Sequence, residues 1–151
     1  MSAQDVDQLL NKKSGLLGVG GINSSDMRDI INAAEGGDQQ ALRALRMFIM
    51  RAVKYAGSYY ALLDGADAIV FTGGIGEYSS YIRKRIVERI ESLGFELDDD
   101  KNESCKGRPG IITKEKSKFK AIVMPTNEEL MIARETLSVM SNGDDLHADG
   151  K

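Results

Sequence analysis

The chain has 151 residues, 42% of them hydrophobic and 28% charged, which suits one soluble globular domain with a sizeable core. A formal net charge of −3 gives no electrostatic ground for a nucleic-acid partner, since a phosphate backbone is usually met by a clearly basic face. The single cysteine, Cys105, excludes an internal disulfide and a C-x-x-C metal site and fits a reducing, cytoplasmic setting, while no apolar run nears the ~20 residues of a membrane span and residues 1–8 lack the pattern of a secretion signal.

Residues 2–11 read as a short helix with Val6, Leu9 and Leu10 on one side, and residues 16–22 as an apolar, glycine-rich segment. Ser24 and Ser25 then precede Asp26, Met27, Arg28 and Asp29. A serine hydroxyl there suits a helix cap and acids in the first turn suit the dipole, and Gly36-Gly37 should stop this helix. Asp38 can cap the longest element, in which Ala41, Leu45, Phe48, Ala52, Ala56, Tyr59 and Leu63 recur at spacings of three and four up to Asp64-Gly65. Leu42, Ile49, Val53 and Tyr60 widen that face, so it is expected to be covered on more than one side, within a larger protein or by a second copy.

Ala68-Ile69-Val70-Phe71 is too short for an ordinary helix and rich in β-formers, and reads as a buried strand. Gly73-Gly74-Ile75-Gly76 ends it. Ser79 or Ser80 opens an amphipathic helix with Ile82, Ile86, Ile90 and Leu93 inward and Arg83, Lys84, Glu88 and Glu91 outward, closed by Gly94. Residues 98–109 read as a polar loop. Two short strands follow, centred on Ile111-Ile112 and on Ala121-Ile122-Val123-Met124, and Pro125 ends the second before a helix over about residues 127–139. Residues 141–151 predict a disordered tail. It contains the only histidine, His147, a poor position for a general base.

The strand that runs into Gly73-Gly74-Ile75-Gly76 and then a helix has two readings. Glycines admit close approach of a ligand and a helix N-terminus offers N–H groups to anions, which suits a nucleotide, whereas the same residues also make a plain tight turn. The P-loop pattern fails, because no glycine is followed by Lys and Ser or Thr. The dinucleotide fingerprint half fits: Gly74 and Gly76 are in place, Ser79 stands where a third glycine belongs, and Asp98 lies near the distance of a ribose-binding acid. In Pro125-Thr126-Asn127-Glu128-Glu129, Thr126 and Glu129 have capping-box spacing. Glu128 is left over, either as a dipole partner or as a carboxylate suited to Mg²⁺ beside phosphates.

Four stretches in this order resemble acetate kinases: Leu9-Leu10-Asn11-Lys12-Lys13-Ser14-Gly15-Leu16-Leu17-Gly18, Ser25-Asp26-Met27-Arg28-Asp29-Ile30, Phe71-Thr72-Gly73-Gly74-Ile75-Gly76-Glu77 and Pro125-Thr126-Asn127-Glu128-Glu129-Leu130. The resemblance implies an α/β fold of the actin-like ATPase, ribonuclease-H-like type, residues 1–140 being most of the second, nucleotide-binding domain and residues 141–151 the tail. It implies ATP/ADP and Mg²⁺ as cofactors and reversible phosphoryl transfer between ATP and acetate to give acetyl phosphate. Asp26, Met27 and Arg28, with Gly74, Ile75, Gly76, Glu77 and Tyr78, would then hold the adenosine part, and Glu128 the metal. Tyr78 departs from the asparagine usual in the family. Acetate and the main catalytic side chains belong to the family's N-terminal portion, so no catalytic residue is expected here and the chain alone should be inactive. The resemblance also implies a homodimer. The alternatives are a propionate or other short-chain acyl kinase, a non-catalytic dimerisation module and, on the local motif only, a Rossmann dinucleotide-binding domain.

Overall fold

The computed structural model describes the backbone of residues 1–144 and the side chains of residues 1–141. In chain order the helices are α1 (Ala3–Lys12), α2 (Gly15–Gly20), α3 (Met27–Glu35) and α4 (Gln39–Leu62), then strand β1 (Ala68–Phe71), α5 (Gly73–Tyr78) and α6 (Ser80–Arg89). A 3-10 turn (Glu91–Leu93), α7 (Asp99–Ser104), β2 (Gly110–Ile111), β3 (Lys120–Val123) and α8 (Glu128–Asp144) complete it.

Side chains at the helix ends set most boundaries. Ser2 and Asp5 form a capping box on α1, and the Asp38 carboxylate accepts the N–H groups of Gln40 and Ala41 to start α4. The cap of α3 is Asp26 rather than a serine. Its carboxylate accepts the Arg28 N–H at 2.9 Å, while the Ser24 hydroxyl accepts the Asp26 N–H and donates to Asp29. The expected loop after residue 98 is the short helix α7, because Asp98 accepts the Lys101 N–H and caps it.

The sheet has the order β1-β3-β2. β1 runs parallel to β3, with Ala68 opposite Lys120 and Phe71 opposite Val123, so the chain between them must cross over, and α5 and α6 lie in that connection. β2 pairs antiparallel with β3. The central strand β3 sends Ala121 and Val123 into the core, where they join Ile112, Phe71, Ile82, Ile86 and Val87, with Ile30 of α3 and Ala41, Ala44 and Leu45 of α4 on the helical side. Truncating a fully buried side chain such as Ile30 or Leu45 to alanine should cost ~2–5 kcal/mol.

One face is left partly open in this chain, and one side chain differs from the sequence expectation. The first half of α4 is buried as its apolar spacing requires, but the second half is not: Tyr59 is 58% and Leu63 69% exposed. Tyr60 packs edge-on against Phe119, and Ala52 and Val53 are partly buried against the core, so the open part of this end is the strip at Tyr59 and Leu63. In α6 the inward set is as expected, but Arg83, assigned outward, is fully buried. It shares a ridge with Val87 and Ile90 at spacings of four and three, so helical geometry turns it inward. The last helix, α8, extends past Val139 to Asp144, the rest of the expected tail, with His147, lying outside the described residues. Among the described residues no helix is long and apolar enough to cross a membrane.

Candidate functional site

The start of α3 and the glycine-rich α5 face each other across an open cleft of about 530 Å³. Asp26, Met27, Arg28 and Ile31 line it from α3, and Gly74, Ile75 and Tyr78 from α5. Segments almost fifty residues apart in sequence thus meet in one place, because α3 packs on α4, which packs on α6, and Ser79 joins α5 directly to α6.

On the α3 wall, the Arg28 guanidinium folds back on Asp26, with Nε at 3.0 Å and Nη2 at 2.6 Å from the two carboxylate oxygens. Arg28 holds the Asp26 carboxyl well down, to about 2, first through this side-chain bond and then through the cap to its own N–H. Asp26 is therefore ionised at neutral pH, and Arg28 stands 86% exposed at the mouth of the cleft as a fixed cation with donors to spare.

On the α5 wall, the glycines have distinct jobs. Gly74 has open space where a Cβ would stand, so its backbone faces the cleft bare, whereas a Cβ on Gly76 would come within 3.1 Å of the Phe71 carbonyl carbon. Gly76 thus serves packing against the end of β1 rather than the cleft. The expected tight turn is a six-residue helix, and its first N–H, from Gly73, is already taken by the Glu77 carboxylate at 3.0 Å. The strip this segment presents is accordingly backbone and apolar surface, suited to a ring or sugar.

Glu77 does not line the cleft. It is buried, and its Oε1 also accepts the Thr126 N–H at 2.9 Å and the Thr126 hydroxyl at 3.1 Å. The Thr126 N–H is the main cause of a Glu77 pKa below the usual carboxylate value. Because the Thr126 hydroxyl is committed to Glu77, the capping box expected with Glu129 does not form, and the Asn127 side chain caps α8 instead, accepting the Leu130 N–H at 3.0 Å.

Behind α5 lies Arg83, all five of whose N–H donors are used. Nη1 donates to the carbonyls of Gly76 and Glu77, Nη2 to those of Asn102 and Cys105, and Nε to the Asn102 side chain, at 2.7 to 2.9 Å. Asn102 passes the link on to the Ser80 carbonyl. Asp98, the acid weighed for a ribose in the dinucleotide reading, is the α7 cap, with Lys101 beside it.

The family model described as the acetokinase family matches residues 1–134. The chain belongs to the acetokinase family. It is 49% identical over 142 residues to the acetate kinase of Acetivibrio thermocellus and 46% identical over 140 residues to that of Methanosarcina thermophila, covering 94% and 93% of this chain. It spans only about 35% and 34% of the length of those relatives. Among solved structures it superposes on the acetate kinase of Porphyromonas gingivalis with a TM-score of 0.83 at 41% identity, covering 93% of this chain and 35% of that one. The propionate kinase of Francisella tularensis gives 0.79 at 41% identity, covering 89% and 34%. The actin-like fold expected from the resemblance is therefore present as a partial domain, and the Rossmann alternative is excluded.

Of the residues expected at a nucleotide, the structure brings Asp26, Met27, Arg28, Gly74, Ile75 and Tyr78 together, and keeps Gly76 and Glu77 behind the wall. Glu128 is exposed in the first turn of α8, two residues beyond the Thr126 clip. No group of three or more His, Cys, Asp or Glu suited to a metal occurs among the described residues. A lone exposed carboxylate still fits Mg²⁺, which commonly takes one or two carboxylates together with substrate phosphates and waters. Sequence reasoning missed Arg83 and Asn102 as organisers of the site. The four-residue step from Arg83 to the apolar Val87 was the available signal.

Proposed function

We propose that this chain is the nucleotide-binding, C-terminal portion of an acetate kinase, which transfers a phosphoryl group between ATP and acetate. The observation that carries this reading is the meeting of the segment at Asp26, Met27 and Arg28 with the segment at Gly74, Ile75 and Tyr78 in one cleft. Met27, Ile31 and Ile75 supply apolar surface for a base, Tyr78 an aromatic ring, and Asp26 and Arg28 an acceptor and donors for ring nitrogens or ribose hydroxyls. Glu128 would hold Mg²⁺, and that ion, when bound, offsets charge on the nucleotide phosphates. The residues of this chain bind and orient the nucleoside. Phosphoryl transfer needs positioning and further cations that we assign to the part of the enzyme this chain does not span. Both an acetate and a propionate kinase superpose on the chain, so the acyl group belongs to that other part as well. The unpaired, buried Cys105 is in keeping with a reducing, cytoplasmic setting.

Calorimetry of the purified chain with ADP tests this. The expected affinity is high micromolar to millimolar, roughly −4 to −6 kcal/mol, weakened in Arg28→Ala, and tightened by Mg²⁺ in the wild type but not in Glu128→Gln. No acetyl phosphate should form from ATP and acetate. ADP binding indifferent to Arg28, or turnover by the chain alone, contradicts the reading.

A second reading, a self-association module, is favoured by the exposed apolar side chains of Met47, Met50, Tyr55, Tyr59, Leu62 and Leu63 along α4. Sedimentation with and without ADP separates the two: a dimer indifferent to nucleotide supports the module, and a monomer that binds ADP removes it.

A further inference from the structure

Glu77 stands in a segment expected to touch nucleotide, yet its carboxylate is turned away from the cleft and holds the junction that carries Glu128. We infer that Glu77 is a positioning residue coupling the cleft to the first turn of α8, so that occupation of the nucleoside strip sets the placement of Glu128. The inference rests on reading the cleft as a nucleotide site.

One oxygen, Oε1, accepts from Gly73 N at 3.0 Å, Thr126 N at 2.9 Å and Thr126 Oγ1 at 3.1 Å, the last two from a residue 49 positions away. A shared acceptor links its donors: a shift of the Gly73 N–H changes the bond left for Thr126. The far end of α5 cannot absorb such a shift, because the Gly76 and Glu77 carbonyls are both bound by the buried Arg83 guanidinium, and the Glu77 carbonyl also accepts the Gly107 N–H. Movement of Gly74 or Ile75 against a ligand is thereby directed to Gly73 and the carboxylate.

At the other end, α8 has little else to fix it. None of its described side chains is buried, and its start follows from the β3 backbone, where Met124 N–H meets the Phe71 carbonyl at 2.9 Å, and from the Thr126 clip two residues before Glu128. A carboxylate that must meet a metal beside phosphates has to be placed, and here the placing group lies in the wall that touches the nucleoside.

Amide NMR of the isotope-labelled chain titrated with adenosine tests the coupling, adenosine being chosen because without phosphates it has no link to Glu128 through a metal. In the wild type the amides of Met27, Gly74 and Tyr78 should shift together with those of Thr126, Asn127 and Glu128. Glu77→Gln keeps an acceptor oxygen and should keep both sets, whereas Glu77→Ala should keep the first and lose the second. If Glu77→Ala does not fold, Thr126→Val, which removes one donor of three, should shrink the second set. Shifts at Thr126 to Glu128 that survive unchanged in Glu77→Ala or Thr126→Val, or that are absent in a wild type whose cleft amides move, overturn the coupling and leave the nucleotide reading intact. Absence of both sets in the wild type overturns the nucleotide reading and the coupling with it.

Discussion

Arg83 and Asn102 grip each other at the centre of the molecule, guanidinium Nε to side-chain Oδ1 at 2.8 Å and Nη2 to the backbone carbonyl at 2.7 Å. No carboxylate accepts from this buried cation. Its charge is spread instead over the carbonyls of Gly76, Glu77, Asn102 and Cys105, which it ties into one frame behind the cleft. Replacing Arg83 by methionine fills similar space but leaves those acceptors without donors, at about 1–3 kcal/mol for each that water cannot reach. Urea denaturation of Arg83→Met should therefore show a loss of about 3 kcal/mol or more. Arg83→Lys, with three donors in place of a planar five, should lie between.

Acid should weaken the clip between the cleft and α8. The Glu77 carboxyl sits below its usual 4.5 in the folded chain, chiefly because the Thr126 N–H favours the ionised form. A depressed folded pKa contributes stability that is present above the unfolded value and lost as pH falls through the folded one. Asp26, lowered from 3.8 to about 2 by Arg28, loses its contribution between those two values. The melting temperature of the wild type should accordingly hold above about pH 5 and fall as the pH drops from there toward about 2, and that of Glu77→Gln should start lower and fall less. Parallel pH profiles for the two proteins would remove Glu77 from the account.

At the start of α8 the cap is Asn127, so Asn127→Ala should cost ~1 kcal/mol and speed amide exchange at Leu130. Glu129→Gln should change neither. Exchange at Leu130 that responds to Glu129 and not to Asn127 would restore the capping box.

The elements of the chain were legible wherever a local signal decided them. Asp38 and Gly36-Gly37 bracketed the helix junction, the run Ala68 to Phe71 announced β1, and Pro125 closed β3. The cleft residues were legible only through family resemblance, since their meeting depends on the packing of α3, α4 and α6, which no local spacing encodes. What failed were choices between neighbouring polar groups. Thr126 and Asn127 are both cap residues by type, Asn the better of the two, and the distant Glu77 carboxylate takes the Thr126 hydroxyl out of contention. Arg83 was read as solvated because an arginine among lysines and glutamates usually is. Its burial becomes possible only because carbonyls from two other segments, the ends of α5 and α7, converge on it.

Tyr78 is 62% exposed in the cleft, and its ring edge rests on Gly107, where a Cβ would stand 2.6 Å from Cε1 and where φ is +65°. Replacing it by the asparagine usual in the family exchanges a ring face for a directional amide. Tyr78→Asn should change the ratio of ADP to GDP affinity by about two- to tenfold, the range of ~0.5–1.5 kcal/mol attached to aromatic contacts. Gly107→Ala, which pushes the ring aside, should weaken both nucleotides. Competition calorimetry reads both effects, and an unchanged ratio in Tyr78→Asn places the side chain outside base recognition.

The central claim is that a nucleotide's base sits between the start of α3 and α5. Photolabelling with an azido-substituted ADP, followed by peptide mapping, tests it most directly. Label should fall on peptides containing Met27 to Ile31 and Gly74 to Tyr78, should be displaced by excess ADP, and should drop in Arg28→Ala. Label that resists competition, or that falls on α4 or α8 and spares both walls of the cleft, would contradict the account.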